Sequence, residues 1–303
     1  MKLTLPSFAK INWTLEILGK RPDGYHELRT LLQTVSVADE LVFETLEQGI
    51  EIVCDHPDVP CDETNLVHRA ATLLAEFSGV TTGVRVTITK RIPTAAGLGG
   101  GSGNAAVTFL ALQKLWQVNL APRDLFELGA KLGADVPFFF VGGTCLGVGR
   151  GDEIYALADI KTDYLLLVNA GILVPTREVY GALPPELTNP SAIHKMPTSF
   201  EVAYAATTLQ DEQIRLKNDL EIPVLARHDL LRGIKQKLHR AGANGVLMSG
   251  SGSTIFAIFD SDSARESAQR ELSQNGWWCA SARTLGRDEY QAFYRQALAN
   301  VQA

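Results

Sequence analysis

The sequence predicts an α+β protein of two domains, and three patterns in it carry that expectation. Residues 8–54 alternate between apolar and polar like antiparallel strands, and residues 83–116 read as strand, glycine-rich loop and helix. Beyond residue 160 strands and helical periods alternate, as in a sheet covered by helices on one face. A chain of 303 residues, 46% of them hydrophobic and 20% charged, is long and apolar enough to bury the cores this requires.

In "FAKINWTLEIL" (8–18), Ile11, Trp13, Leu15 and Ile17 fall on one face and Lys10, Asn12, Thr14 and Glu16 on the other. This is the pattern of a half-buried strand, and it points Lys10 and Asn12 the same way. The turn "RPDGY" (21–25) leads to strand-like runs at 31–37, 40–46 and 49–54. The period then changes: Leu66, Ala70, Leu73, Leu74 and Phe77 share a helical face over 65–77, with Asn65 placed to cap it. "GVRVTITKRI" (83–92) returns to alternation and runs into the glycines. Ala105, Phe109, Leu112 and Trp116 recur at spacings of four, three and four, which predicts a helix beginning near Gly103. A helix over 122–132, with Pro122 in its first turn and Gly133 as its C-terminal cap, delivers "GADVPFFF". Glycines punctuate 142–151, which reads as turns or a bulged hairpin ending in the strand 152–157.

The pattern restarts with "YLLLVNAG", which divides the chain into domains 1–158 and 159–303. Residues 184–197 are expected to form an exposed loop, followed by helical periods at 198–209 and 224–240. Strands at 245–248 and 254–259 are joined by the turn "SGSGS" (249–253); a helix over 262–274, a strand at 277–284 and a final helix complete the chain.

Acidic residues outnumber basic ones, 34 to 28, giving a formal charge of −6 and a pI near 5.6. No general field therefore attracts nucleic acid or an anionic membrane, and an anionic ligand must be held by local groups. Apolar stretches such as "VPFFFV" (136–141) fall far short of the roughly 20 residues that span a bilayer. Cys54, Cys61, Cys145 and Cys279 fit neither a zinc pair nor a disulfide framework, and the N-terminus has no signal-peptide pattern, so a cytoplasmic protein is expected. His56, His68, His194, His228 and His239 lack ligand spacing, and no protein metal cage is expected.

"RIPTAAGLGGGSGNAA" (91–106) sets five glycines into the seven positions from Gly97 to Gly103. Each costs roughly 0.5–1 kcal/mol relative to alanine in a regular element, so the bare backbone must serve something. A Walker-type loop is excluded, because no G-x-x-x-x-G-K-[ST] occurs. Gly101, Gly103 and Ala106 satisfy a loose dinucleotide fingerprint, yet the acidic strand end that should follow about 20 positions on is replaced by "APRDLFEL", a helix start. In a phosphate nest, successive N–H groups converge on an anion and the following helix adds its positive end, while any side chain would hold the phosphate away. Three or four such bonds, at about 1.5–3 kcal/mol each, could hold a polyphosphate without a lysine in the loop. The nest is favoured; a purely structural turn and a dinucleotide site stay open.

"PTAAGLGGGSGNAA" resembles the P-x-x-x-G-L-G-[SG]-S-type loop of the GHMP kinases. "PSFAKINWTLEILGKRPDGYHEL" (6–28), "NLVHRAA" (65–71), "LGADVPFF" (132–139), "NDLEIPV" (218–224) and "MSGSGSTIFAIF" (248–259) are similar to that family in the same order. The triple glycine resembles the branch that phosphorylates the 2-hydroxyl of a cytidine-diphosphate-linked methylerythritol in isoprenoid precursor synthesis, although that branch usually has serine at the position of Gly103. The resemblance implies a two-domain GHMP kinase fold: a ribosomal-protein-like α/β domain with a left-handed β-α-β unit, against the usual handedness, then a ferredoxin-like α+β domain. ATP and substrate would share the cleft between them.

Phosphoryl transfer needs the acceptor hydroxyl in line, its proton removed or oriented, and the transferring charge compensated. The resemblance places the catalytic carboxylate at Asp135, as base or orienting group, and its cationic partner at Lys10, where an ammonium could stabilise the developing alkoxide. Asn12, on the same strand face as Lys10, would bond a polyol or phosphate oxygen. Tyr25 and His26 would form the cytidine pocket, one stacking on the base and the other bonding its edge. For ATP, the resemblance implies a loop of Pro93, Thr94, Ala95, Ala96 and Gly97, continuing through Leu98, Gly99, Gly100 and Gly101 to Ser102 and Gly103. Asn65, Leu66 and Lys90 would lie at the adenine end. Gly250, Ser251 and Gly252 of the second glycine motif would close over the substrate. Mg2+ would arrive with ATP, held mainly by phosphate oxygens and water. Taken alone these residues have bland readings: a helix-ending Asp135, a solvated Lys10, a surface His26, a tight turn at 249–253. Rival functions are a GHMP kinase for another small alcohol, such as homoserine or a mevalonate-type acceptor, and a non-catalytic sensor, which would need no Lys10 and Asp135 pair. A monomer or weak homodimer is expected, with neither nucleic acid nor membrane as partner.

Overall fold

The computed structural model describes residues 1–189 and 216–299. Its first sheet is built on two long strands, β1 (Lys2–Lys20) and β2 (His26–Leu46), antiparallel along their length. The runs expected at 31–37 and 40–46 are one strand. Phe8 pairs with Ala38 and Ala9 with Val35, so Ser36 and Val37 form a bulge, which shifts register without ending a strand. The bulge is occupied: Ser36 N donates to Arg283 O (3.0 Å), and Val35 bridges Thr284.

Strand β3 (Ile50–Cys54) leads through helix α1 (Leu66–Ser78) to β4 (Gly83–Thr89), which is parallel to β3 and antiparallel to β2. Asn65 caps α1, its Oδ1 accepting from Val67 N (2.8 Å). Helices α2 (Gly100–Leu115), α3 (Pro122–Leu132) and the short α4 (Phe138–Val141) follow. Gly133 ends α3 as expected, with an extended backbone (φ 176°). The stretch expected as turns or a hairpin is the pair β5 (Thr144–Val148) and β6 (Glu153–Ala156), and β5 extends the sheet beside β2.

In the second domain, β7 (Leu165–Asn169), β9 (Gly245–Met248), β10 (Ile255–Ile258) and β11 (Trp278–Ala282) form an antiparallel sheet in the order β11-β7-β10-β9. Between these strands lie α5 (Thr176–Gly181), α6 (Pro185–Thr188), α7 (Glu221–Arg227), α8 (Asp229–Arg240) and α9 (Asp262–Ser273). The β-α-β-β-α-β order with this pairing is the ferredoxin-like arrangement. The period over 224–240 is two helices, interrupted where His228 turns extended (φ −124°, ψ 88°). Part of the expected loop at 184–197 is the short α6; residues 190–197 and the helix expected at 198–209 lie outside the described residues. The two-residue β8 (Lys217–Asn218) pairs in parallel with Thr14 and Leu15 of β1, so the second half of the chain adds a strand to the first sheet.

A separate apolar core fills the space between the sheets, taking Ile11 and Trp13 from β1, Leu98 from the glycine loop, and Leu167, Leu247 and Phe256 from the second sheet. Trp13 and Phe256 meet edge to face with centroids 5.4 Å apart. Burying Phe256 alone contributes about 1.5–3 kcal/mol to this joint. The last helix, α10 (Arg287–Ala299), crosses back to the first domain, where Tyr290 donates to Phe139 O (2.6 Å) and Tyr294 to Pro6 O (3.0 Å). Packed between these layers, the centre of β1 is buried on both faces, Lys10 and Asn12 included, so the expected half-buried strand is buried throughout at this point. Among the described residues no helix is long and apolar enough to cross a membrane.

Candidate active site

Helix α2 begins at Gly100, three residues before the position the apolar spacing predicts, with Gly99 (φ +69°) as its N-cap. Glycine has no side chain to mark a face, so spacing cannot register this first turn. Pro93 to Gly99 therefore form the loop, and Gly100, Gly101 and Ser102 present N–H groups of a helix start, which lack intrahelical acceptors and favour an anion, while Gly103 N already donates to Gly99 O (2.8 Å).

The two glycine segments, one from each domain, touch. Gly97 has φ +76°, and a Cβ there would lie 2.1 Å from Ser249 O. Ser249 Oγ donates to Gly97 O (2.9 Å), and Thr254 N donates to Ala96 O (3.2 Å). Gly250 (φ +55°) has its α-carbon against the polar face of β1: a Cβ would sit 3.2 Å from Lys10 Nζ and 3.4 Å from Asn12 Oδ1. Gly99 is equally close-packed, with a Cβ position 3.0 Å from Lys10 Cγ.

Lys10 lies at this junction. Its N–H donates to Leu98 O (2.9 Å), its Nζ to Asn12 Oδ1 (2.7 Å), and Nζ is 3.4 Å from Asp135 Oδ2. The Lys10 side chain is 4% exposed and that of Asp135 37%, so the pair runs from the interior to an open face. Asn12 is fixed in turn by donating to Thr30 Oγ1 (2.7 Å), which donates to Thr14 O (2.7 Å). A buried ammonium is tolerated because these acceptors receive it. Asp135 sits in the turn between α3 and α4, where Val136 N donates to Gly133 O (3.2 Å). Ser102 faces this turn, its Oγ 3.8 Å from where a Cβ on Gly133 would be. Gly103 faces the other way, a Cβ there meeting Ser7 Oγ at 3.0 Å and Phe8 O at 3.1 Å. Of positions 102 and 103, only the first turns its side chain toward the Asp135 loop.

At the other end, Tyr25 is 56% exposed and is held by its main chain: its N–H donates to Asp23 Oδ1 (3.1 Å) and its carbonyl accepts from Arg21 N (2.8 Å). The His26 ring meets Tyr180 with centroids 5.1 Å apart and planes 31° from parallel. Burial, then the charge of Lys20, hold the His26 pKa below its ordinary 6.5, so the ring is neutral at pH 7. Its Nε2 is buried without a hydrogen-bond partner among the described residues, a vacancy suited to a ligand. Burial, then the charge of Asp135, raise the phenol of Tyr180, so Tyr180 lies within electrostatic reach of the carboxylate while touching His26. Sequence reasoning missed Tyr180, one aromatic in "REVYGAL" with no spacing to mark it.

The residues expected at the adenine end are only partly free to serve it. Both polar atoms of Asn65 are engaged, Oδ1 in the cap of α1 and Nδ2 in donating to Pro60 O (2.6 Å). Leu66 Cδ1 comes within 3.5 Å of a Cβ position on Gly101, beside the helix start. Lys90 is no surface cation: it pairs with the buried Asp39, and its Nζ lies 3.3 Å from a Cβ position on Gly100. Asp39 Oδ1 also accepts from Arg91 N and Ile92 N, anchoring the entry to the glycine loop. The motif at 218 holds the second loop. Asn218 Nδ2 donates to Met248 O (2.8 Å) and Gly250 O (2.7 Å), and Asp219 Oδ2 accepts from Ile17 N (2.8 Å). Ser251 Oγ shares a 2.9 Å hydrogen bond with Thr176 Oγ1. Gly252 packs on Met248, whose Sδ is 2.5 Å from its Cβ position. Among the described residues no group of three or more His, Cys, Asp or Glu is placed to hold a metal.

Comparison with known proteins gives one consistent result. Residues 65–143 match the model of the GHMP kinases N terminal domain, and residues 208–276 that of the GHMP kinases C terminal. The chain is 42% identical over 276 residues to a protein of Syntrophus aciditrophicus (strain SB) named 4-diphosphocytidyl-2-C-methyl-D-erythritol kinase, covering 91% of this chain and 96% of that one. It is 39% identical over 285 residues to a protein of the same name from Geobacter sulfurreducens, covering 94% and 99%. A solved structure of 4-(cytidine 5'-diphospho)-2C-methyl-D-erythritol kinase superimposes with a TM-score of 0.78 at 35% identity, over 94% of this chain and 100% of that one. Homoserine kinase from Cytophaga hutchinsonii shares the fold, with a TM-score of 0.67 at 19% identity over 95% and 96% of the two chains.

Proposed function

The chain belongs to the GHMP kinases, and from that premise we propose that it transfers the γ-phosphoryl group of ATP to the 2-hydroxyl of 4-diphosphocytidyl-2-C-methyl-D-erythritol, releasing ADP. One observation carries the reading: the buried Lys10 ammonium lies 3.4 Å from the half-open Asp135 carboxylate where two glycine loops from different domains meet. Glycines bare the backbone on both sides of the pair, so phosphate oxygens can approach main-chain N–H groups without steric interference.

In this reading the N–H groups of the α2 first turn cradle the triphosphate, and its helix dipole offsets the negative charge. Asp135 accepts or orients the proton of the acceptor hydroxyl. Lys10, held by Asn12, stabilises the charge that develops on the attacking and transferring oxygens. The donors present suit Mg2+ bound chiefly to phosphates, because Asp135 and Ser102 supply hard oxygens from one side only; Mg2+ would neutralise charge on the polyphosphate. Tyr25 offers a face for stacking cytosine, and His26 Nε2, neutral and unpartnered, suits an exchange of hydrogen bonds with the base edge. Tyr180 adds a second aromatic ring against His26. Leu66 and Lys90 flank the start of α2, while Asn65 acts mainly by fixing α1. We place the division of the chain at 158/159.

The test is an assay of ADP release with the diphosphocytidyl substrate, homoserine and galactose offered separately. Turnover confined to the first, competed by CDP and with KM raised by Tyr25→Ala, is expected. Turnover of homoserine with no competition by CDP overturns the substrate assignment.

A further inference from the structure

We propose that Arg150 is a positioning residue for the nucleobase end of the substrate: its guanidinium backs one face of the Tyr25 ring and leaves the other presented for stacking. The inference rests on the reading of Tyr25 as a base platform. Arg150 Cζ lies 5.1 Å from the centroid of the Tyr25 ring, inside the distance of about 6 Å at which a cation is drawn to an aromatic face. The guanidinium is itself anchored, since Nε donates to Asp152 Oδ2 (3.0 Å) and Nη2 pairs with the same carboxylate.

The backbone beneath Arg150 is fixed too. It sits in the turn between β5 and β6, where Gly151 N donates to Val148 O (2.9 Å), and Leu28 N donates to Gly149 O (2.9 Å), tying that turn to the start of β2 beside Tyr25. Tyr25, by contrast, stands on the 21–25 turn, more than half exposed, with its main chain secured by Arg21 and Asp23. A ring so exposed loses rotational freedom when a base stacks on it, and a planar cation already lying on one face removes part of that cost beforehand. Arg150 thus acts through Tyr25, at the nucleobase end and away from the reacting oxygens.

The experiment measures the affinity of the full chain for CDP by calorimetry, together with KM and kcat for the diphosphocytidyl substrate, in Arg150→Ala, Arg150→Lys, Tyr25→Ala and the double variant Arg150→Ala/Tyr25→Ala. Arg150→Ala is expected to weaken CDP and raise the substrate KM about two- to fivefold, with kcat and the KM for ATP unmoved. Lysine should restore part of the loss, because it keeps the charge and lacks the plane. In the Tyr25→Ala background, loss of Arg150 should add nothing. An unchanged CDP affinity in Arg150→Ala overturns the inference, as does an equal loss with and without Tyr25, which would mean that Arg150 meets the diphosphate directly. A wild-type protein that binds no CDP brings down the substrate reading itself, a result distinct from either.

Discussion

Replacing Gly97 by alanine tests whether the two glycine segments must touch for the enzyme to work. The residue adopts φ +76°, and its missing Cβ would lie 2.1 Å from Ser249 O and 3.0 Å from Gly252 N, both main-chain atoms that no rotamer change can move. A left-handed backbone costs an L-residue roughly 1–2 kcal/mol, and forcing a methyl into filled space adds about 1–3 kcal/mol. The sum, about 2–5 kcal/mol, appears as lost stability if the loops hold together and as lost activity if they part. Gly171→Ala separates the two contributions, because Gly171 has φ +75° and open space within 4 Å of its Cβ position. Urea denaturation and ADP release, measured on both variants, supply the comparison. Gly171→Ala should show only the conformational cost, with kcat/KM near wild type. Gly97→Ala should lose more stability, or drop kcat/KM about a hundredfold, since a shift of 1 Å in positioning groups can cost that much. Equal behaviour of the two variants in both assays refutes the claim that contact between the loops matters.

Three more outcomes are expected. Because burial and then Lys20 hold the folded-state pKa of His26 below 6.5, the unfolded chain binds the proton first as pH falls; stability should therefore decline below about pH 6.5, and His26→Gln should remove that part of the slope in urea midpoints taken from pH 5 to 8. Gly103→Ser should destabilise by about 1–3 kcal/mol because its Cβ meets Ser7 Oγ and Phe8 O, and Ser7→Ala in the same chain should recover part of this, a coupling read by a double-mutant cycle. Asn218→Ala strips hydrogen bonds from the carbonyls of Met248 and Gly250; a loss of about 1–3 kcal/mol in stability and a fall in kcat/KM should follow, with unchanged kinetics counting against a role in holding the second loop.

Alternation and helical spacing made much of the architecture legible, because elements such as α1 and α8 bury one recurrent face, whereas β1 is buried on both faces at its centre and β5 and β7 along their whole length. They fail where the determining contact is distant or has no side chain. The glycines at 100, 101 and 103 cannot report a helix by apolar spacing, so α2 starts earlier than Ala105 and Phe109 indicate. The bulge at Ser36 and Val37 reads as a strand end, although Arg283 and Thr284, remote in sequence, fill its hydrogen bonds. Lys10 and Asn12 were visible as neighbours on one strand face, while the proximity of Asp135, 125 positions after Lys10, entered only through a family resemblance. Lys90 reads as a surface charge because its partner, Asp39, belongs to a different strand. Tyr180 carries no local signal at all; its place against His26 follows from the packing of the second domain on the first.

The central claim is that the Asp135 charge, set against Lys10, drives the transfer and not the binding of nucleotide. Asp135→Asn keeps the shape and removes the charge, so the decisive measurement is kcat for this variant beside its affinity for a non-hydrolysable ATP analogue. A kcat lowered by about 10²–10⁴, with nucleotide affinity within a few-fold of wild type, is the predicted result. Wild-type turnover by Asp135→Asn would contradict the account.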